Sequence, residues 1–125
     1  VMIVDDDTDN ADLLTKLLVS WGYSARVAYT GSFLLKVAAE FRPAAFLVDL
    51  GMRDMDGFRL AETIRRDPAQ DNAKLVAITG FGDQSHRARA ETAGFAHFFV
   101  KPVDLSQLRS VLAEIDQRRL GDASG

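Results

Sequence analysis

The chain has 125 residues, and that length fits a single domain able to bury about two-thirds of the surface of its unfolded form. It contains no cysteine, which excludes disulfides and thiolate catalysis. The formal net charge of −3 argues against nucleic acid as a direct partner, because binding to phosphates needs clustered positive charge. No stretch approaches the length of a membrane span, so we expect no membrane contact by this segment.

The first part of the chain is predicted to form a strand, a helix and a second strand. Residues 1–4 are a continuous apolar run, typical of a strand buried on both faces, and aspartates at 5–7 follow it. A helix then begins near Thr8, which can act as its N-cap, while Asp7 serves the helix entry. A short second strand is predicted at 24–29. The apolar stripe predicted for the helix comprises Leu13, Leu14, Leu17, Leu18 and Trp21.

A second helix, a third strand and a third helix follow. The second helix ends at Pro43, and the third strand, residues 45–49, is apolar until it stops at the carboxylate of Asp49. After a loop at 50–55, Asp56 can cap the third helix. The apolar stripe predicted for the second helix is Phe33, Val37 and Phe41. The buried face predicted for the third is Phe58, Ala61 and Ile64.

Two more apolar runs predict the fourth and fifth strands. Residues 75–78 lead into Thr79, and residues 97–100 lead into Lys101. Between them lies a predicted helix at 84–93, whose apolar residues are almost all alanine. Because burial stabilises by about 25 cal/mol per Å² of apolar area, such a helix is weakly held and can shift at little cost.

Five strands alternating with five helices predict a doubly wound α/β domain with a parallel sheet and right-handed crossovers. We expect the domain to span residues 1–119 and to end in a helix at 104–119. The tail at 120–125 is expected to be disordered. The buried face predicted for the final helix is Leu105, Leu108, Val111, Leu112 and Ile115.

Polar side chains follow four of the five predicted strands. The carboxyl ends of parallel strands share one edge of a sheet, so these side chains should lie close together. Two unit charges 4 Å apart repel by about 4 kcal/mol at an effective dielectric constant of about 20, which predicts a bound cation among the acids. Carboxylates without cysteine or a nearby histidine favour a hard ion such as Mg²⁺. The residues at these strand ends are Asp5, Asp6, Asp49, Thr79 and Lys101.

In these residues the sequence resembles the receiver domain of two-component response regulators. The resemblance covers residues 1–119 and implies a flavodoxin-like (βα)5 fold with strand order 2-1-3-4-5, in which a crevice opens between the first and third strands. It is closest in pattern to receivers attached to hybrid sensor kinases. The matching motifs are Asp5-Asp6, Asp49, Thr79-Gly80 and Lys101-Pro102.

The resemblance implies a role for each acid. Asp6 and Asp49 would bind Mg²⁺ directly, with the backbone carbonyl of Gly51 as a third ligand. Asp5 would act through a water molecule. Asp49 would also be the nucleophile that takes a phosphoryl group from phosphohistidine and becomes an aspartyl phosphate. The domain would thus catalyse its own phosphorylation and dephosphorylation, while its main role is in signalling.

The other strand-end residues would complete the site and transmit its state. By the resemblance, Thr79 donates its hydroxyl to a phosphoryl oxygen and Lys101 neutralises charge. Gly80 and Phe81 control access to the phosphoryl group, and the large Phe81 is expected to restrict water. Thr79 and Phe98 form the switch. Phe98 stands where the family often carries tyrosine, so the part of the switch that depends on a hydroxyl is missing.

The implied partners are a histidine kinase or a histidine phosphotransfer domain, in the cytoplasm. Because Val1 already lies inside a strand pattern, we expect a segment of a longer chain whose other domains are further partners. An independent single-domain regulator is the alternative. Two other functions stay open: a receiver-like interaction module that is not phosphorylated, and a phosphatase with an aspartyl-phosphate intermediate. The phosphatase motif D-x-D would need an acid where Gly51 stands.

Overall fold

The computed structural model describes residues 1–51, 56–70, 72–80 and 84–124. Within these ranges, strands and helices alternate along the chain, and a short 3-10 helix at Pro68–Gln70 precedes the fourth strand. The strands are β1 Met2–Val4, β2 Arg26–Ala28, β3 Ala45–Asp49, β4 Lys74–Thr79 and β5 Phe95–Val100. The helices are α1 Thr8–Ser20, α2 Gly31–Phe41, α3 Gly57–Arg66, α4 Gln84–Ala93 and α5 Leu105–Ser124. None of these helices is long and apolar enough to span a membrane.

The strands form one parallel sheet in the order β2-β1-β3-β4-β5, as predicted. The order reverses direction between β1 and β3, which are neighbours with Val4 paired to Val48. Asp49, the last residue of β3, pairs with Ile78 of β4. The residues that follow β1 and β3 therefore meet at the carboxyl edge of the sheet, where doubly wound domains open a crevice.

Each face of the sheet is covered by helices, so β1 and β3 are buried throughout. Successive residues of a strand point to opposite faces, and two cores result. One core joins the sheet to α2, α3 and α4 through Met2, Val4, Phe46, Leu34, Leu60 and Ile64. The other joins it to α1 and α5 through Ile3, Leu47, Leu18, Leu108 and Leu112.

Three large apolar residues assigned to buried helix stripes are in fact exposed. Leu13 is 69% exposed, Phe33 52% and Leu105 47%, so these parts of the predicted stripes are wrong. Consecutive helical residues are about 100° apart, which turns Leu13 about 140° away from the buried Leu18. Phe33 and Leu105 lie in the first turns of their helices. Helical periodicity predicted which side of each helix is buried, but not how far around or along the helix the buried surface extends.

The predicted starts of the helices agree with the structure more closely than the predicted limits of some strands do. Asp7, rather than Thr8, is the N-cap of α1, and Asp56 caps α3 as predicted. Strand β2 is shorter than the predicted 24–29, and β5 begins earlier, at Phe95. Helix α5 runs from Leu105 to Ser124 and so begins one residue later than predicted. The disordered tail expected at 120–125 stays a prediction. The domain boundary at residue 119 stays a prediction.

Candidate functional site

Three acids meet at the carboxyl edge of the sheet. Asp5 follows β1, Asp6 comes next along the chain, and Asp49 ends β3. One carboxylate oxygen from each lies within 4.8 Å of the others, so together they could hold a metal ion. Asp5 and Asp49 are only 4% and 7% exposed, while Asp6 is more exposed. The proximity predicted from the strand ends is therefore present.

Asp5 is held by hydrogen bonds on both of its carboxylate oxygens. Oδ1 accepts from the backbone N–H of Asp7 at 2.9 Å, and Oδ2 accepts from Nδ2 of Asn10 at 2.8 Å. Burial raises the pKa of Asp5 above its ordinary value of 3.8, and the charge of Asp49 raises it further. The two hydrogen bonds and the Lys101 charge oppose the increase in this pKa without cancelling it.

Asp49 is fixed from two sides. Its Oδ1 accepts from the backbone N–H of Gly51 at 2.8 Å, and its Oδ2 accepts from Nζ of Lys101 at 2.9 Å. A Cβ atom at Gly51 would approach Oδ1 to 3.3 Å, so a small residue suits this turn. The carboxylate of Asp49 thus lies between a backbone donor and a cation, next to the other two acids.

Lys101 is positioned by the end of β5. Its backbone N–H donates to the carbonyl oxygen of Thr79 at 2.8 Å, and its peptide bond to Pro102 is cis. Burial by itself lowers the pKa of Lys101, but the hydrogen bond to Asp49 and the charges of Asp49, Asp5 and Asp7 together raise it. Lys101 is therefore a cation that partly balances the acids at neutral pH.

Thr79 and Gly80 lie at the end of β4. Thr79 is fully buried and pairs with Val100 of β5. Gly80 is exposed, and a Cβ atom there would meet no atom within 4 Å, so open space adjoins this end of the strand. The access role predicted for Phe81 concerns a residue outside the described part of the chain.

Phe98 lies on β5 beneath α4. It is half-buried against the core on that face, and the guanidinium of Arg87 lies 5.1 Å from its ring centroid. The residues of α4 in that core are Ala90 and Ala93. The apolar contribution of α4 to that core thus consists of alanines, and the weak attachment of the helix stays a prediction.

Arginine contacts that the sequence analysis missed connect α4 to α3. Arg89 forms a 3.3 Å ion pair with Asp56, the N-cap of α3, and lies 4.1 Å from the ring centroid of Phe58. Arg65 of α3 donates to the carbonyl oxygen of Gly94 at 3.2 Å. The two partners in each contact are far apart in sequence, so the spacing of residues along one helix could not predict the contact.

Asn10, whose side chain contacts Asp5, is a second residue that was not predicted from the sequence. It is the third residue of α1, where its backbone N–H donates to the N-cap carboxylate of Asp7 at 3.2 Å. The spacing Asp7-x-x-Asn10 resembles a capping box, and that pattern was the available signal for this residue.

The five-stranded parallel sheet with this strand order is the fold of a known class of signalling domain. The chain belongs to the response regulator receiver domain family, which it matches over residues 1–113. The signal receiver domain of a DNA binding response regulator from Colwellia psychrerythraea 34H superposes with a TM-score of 0.87 at 27% identity. That superposition covers 93% of this chain and 96% of the other.

Relatives of very different lengths share this domain. An uncharacterized 14.6 kDa protein in the sodA1 3′ region of Leptolyngbya boryana is 32% identical over 108 residues, which cover 86% of this chain and 82% of that protein. The Escherichia coli K12 signal transduction histidine-protein kinase BarA is 28% identical over 112 residues. That match covers 90% of this chain and 12% of BarA. Receiver domains act in two-component signalling, where they interact with histidine kinases or phosphotransfer proteins.

Proposed function

We propose that this receiver domain accepts a phosphoryl group on Asp49, with Mg²⁺ bound by the neighbouring acids. The observation that carries the proposal is the environment of Asp49. Its carboxylate lies 2.9 Å from the Lys101 ammonium and within 4.8 Å of oxygens of Asp5 and Asp6. A nucleophile, a permanent cation and ligands for a metal thus converge on one point, and phosphoryl transfer is catalysed mainly by positioning and charge neutralisation.

The donor set fits Mg²⁺. Carboxylate oxygens are its preferred protein ligands, and the chain has no cysteine to favour a softer ion. Asp6 and Asp49 would bind the ion directly, with the carbonyl oxygen of Gly51. Asp5 would act through a water molecule, as the resemblance implies. When bound, the ion would neutralise charge on the oxygens of the phosphoryl group.

In the proposed reaction, a carboxylate oxygen of Asp49 forms a bond to phosphorus. The bond between phosphorus and the donor's imidazole nitrogen, or the acetate oxygen of acetyl phosphate, breaks, and the leaving group keeps the electron pair. Lys101 would stabilise the negative charge on the phosphoryl oxygens. Thr79 would donate its hydroxyl to one of them, and the open space beside Gly80 would leave room for the group.

The donor would be a histidine kinase or a histidine phosphotransfer domain in the cytoplasm. If the domain is part of a kinase, the other domains of that kinase would be further partners. The match to BarA supports a place within a kinase, and the match to the 14.6 kDa protein supports an independent regulator. The domain itself would serve as the phosphoacceptor in either setting.

Incubation with acetyl phosphate tests this proposal. In the presence of Mg²⁺ the intact mass of the protein should rise by one phosphoryl group, and an excess of chelator should prevent most of that increase. Absence of any mass increase, together with no release of phosphate, would indicate an interaction module that is not phosphorylated. Continuous release of phosphate without accumulation of phosphoprotein would indicate a phosphatase.

Phosphorylation is expected to move Thr79 inward and to let Phe98 turn into the vacated space, with a shift of α4. A phenylalanine can be buried without a partner for a hydroxyl, and its contact with Arg87 would have to break. Backbone amide chemical shifts should therefore change most between residues 79 and 98 when the phosphorylated and free proteins are compared by NMR. Changes confined to the surroundings of Asp49 would show that this switch is wrong.

A further inference from the structure

The start of α1 departs from the usual capping box. In that motif the third residue of the helix reaches back to the N–H of the N-cap. Here the N–H of the N-cap, Asp7, donates instead to Oδ1 of Asp5 at 2.9 Å. The side chain of the third residue, Asn10, donates to Oδ2 of the same carboxylate at 2.8 Å. Both donors of the helix start therefore converge on Asp5, an acid that precedes the helix.

These two hydrogen bonds determine how the Asp5 carboxylate is oriented. One donor on each oxygen fixes the plane of the carboxylate, which a single donor would leave free to rotate. They also offset the free-energy cost of burying Asp5, which is only 4% exposed, since buried charged oxygens need hydrogen-bond donors. The donor from Asp7 is a backbone N–H, so its presence does not depend on the side chain at that position. The Asn10 donor depends on the identity of the side chain.

We propose that Asn10 is a positioning residue for the metal site and acts through Asp5. Its amide fixes the orientation of the Asp5 carboxylate. In that orientation Asp5 can contact, through a water molecule, the Mg²⁺ that Asp6 and Asp49 bind. The proposal rests on the metal site of the proposed function. Residues that orient metal ligands typically change metal affinity by about 10-fold to 100-fold when they are replaced.

A purely structural role for Asn10 predicts a different result. If the amide only stabilised the start of α1, its loss would lower the melting temperature equally with and without Mg²⁺. The dissociation constant for Mg²⁺ would then stay unchanged. Metal binding to the folded domain therefore separates the two roles.

The test is a double-mutant cycle read by calorimetric titration with Mg²⁺. Asn10→Ala should raise the dissociation constant about tenfold in the wild-type background. In the Asp5→Ala background, where no carboxylate is left for the Asn10 amide to hold, it should change the constant by less than about twofold, because residues that act together are not additive. Asn72→Ala, the same change at an exposed turn position, should have no effect in either background.

Three outcomes would overturn the inference or its basis. An unchanged dissociation constant for Asn10→Ala would refute the positioning role alone, provided that Asp5→Ala weakens binding. An equal effect of Asn10→Ala in both backgrounds would show that Asn10 does not act through Asp5. Failure of the wild-type protein to bind Mg²⁺ would instead refute the metal site on which the inference rests.

Discussion

Asp49→Asn is expected to abolish phosphorylation by acetyl phosphate. An amide is a far weaker nucleophile than a carboxylate, and none of the other described acids is both buried at a strand end and hydrogen-bonded to Lys101. The fold should survive, because the amide oxygen can still accept from the N–H of Gly51. Lys101 is 39% exposed on its side chain and can turn toward solvent, away from the new amide group.

Asp67→Asn is a matched control for this variant. Asp67 is an exposed aspartate whose carboxylate accepts from the N–H of Ala69, and an amide oxygen can replace it. The control should be phosphorylated at the wild-type rate, measured as intact mass over time with Mg²⁺ and acetyl phosphate. Phosphorylation that persisted in Asp49→Asn would show that the acceptor has been assigned to the wrong residue.

Asp5→Asn should stabilise the metal-free protein and weaken Mg²⁺ binding. Unit charges 4.8 Å apart repel by about 3.5 kcal/mol at an effective dielectric constant of about 20, and Lys101 offsets part of this. We expect a net gain of about 1 kcal/mol, or about 4 °C in melting temperature. Asn10 can flip its amide and accept from the new Asn side chain, so that hydrogen bond can be kept.

The pH dependence of this effect has a defined sign. The pKa of Asp5 is raised in the folded protein, chiefly by burial, so the folded state binds the proton more tightly than the unfolded state does. That contribution to stability is present below the ordinary pKa of 3.8 and is lost as the pH rises through the folded pKa. The stabilising effect of Asp5→Asn should therefore be full at pH 7 and should shrink as the pH falls toward 3.8.

Thermal melts with chelator and with Mg²⁺ test this prediction. Wild-type protein should gain about 1.4 kcal/mol when free Mg²⁺ is tenfold above its dissociation constant, and the variant should gain less. The prediction would be wrong if Asp5→Asn melted below wild type in chelator at pH 7 and responded equally to Mg²⁺. That result would show that the charge of Asp5 neither destabilises the metal-free protein nor contributes to Mg²⁺ binding.

The sequence predicted the strand ends well, because their patterns are local. Unbroken apolar runs before Asp5 and Asp49 marked strands buried on both faces, and the pairing of β1 with β3 brings their ends together. The same reasoning brought Lys101 to Asp49 across a separation of 52 residues. The residues themselves predicted a doubly wound α/β domain, whereas the strand order 2-1-3-4-5 and the roles of the site residues were implied by the resemblance.

Other features depend on side-chain geometry that local patterns do not contain. Leu13 is exposed because it is turned away from the buried Leu18, and Phe33 is exposed in the first turn of α2. A helical period alone does not show how far around or along a helix the buried surface extends. The Arg89 contact with Asp56 joins two helices across the fold. Asn10 lies in a polar segment, where its bond to Asp5 has no hydrophobic signature.

Chemical mapping of the phosphoryl group tests the central claim most directly. Reduction of the phosphorylated protein with borohydride converts an acyl phosphate to an alcohol, and peptide mass spectrometry then identifies the residue. We predict a single reduced position, residue 49, in protein treated with acetyl phosphate and Mg²⁺. A reduced position at Asp5, Asp6 or any other acid, or phosphate found on a histidine, would contradict the assignment of Asp49 as the phosphoacceptor.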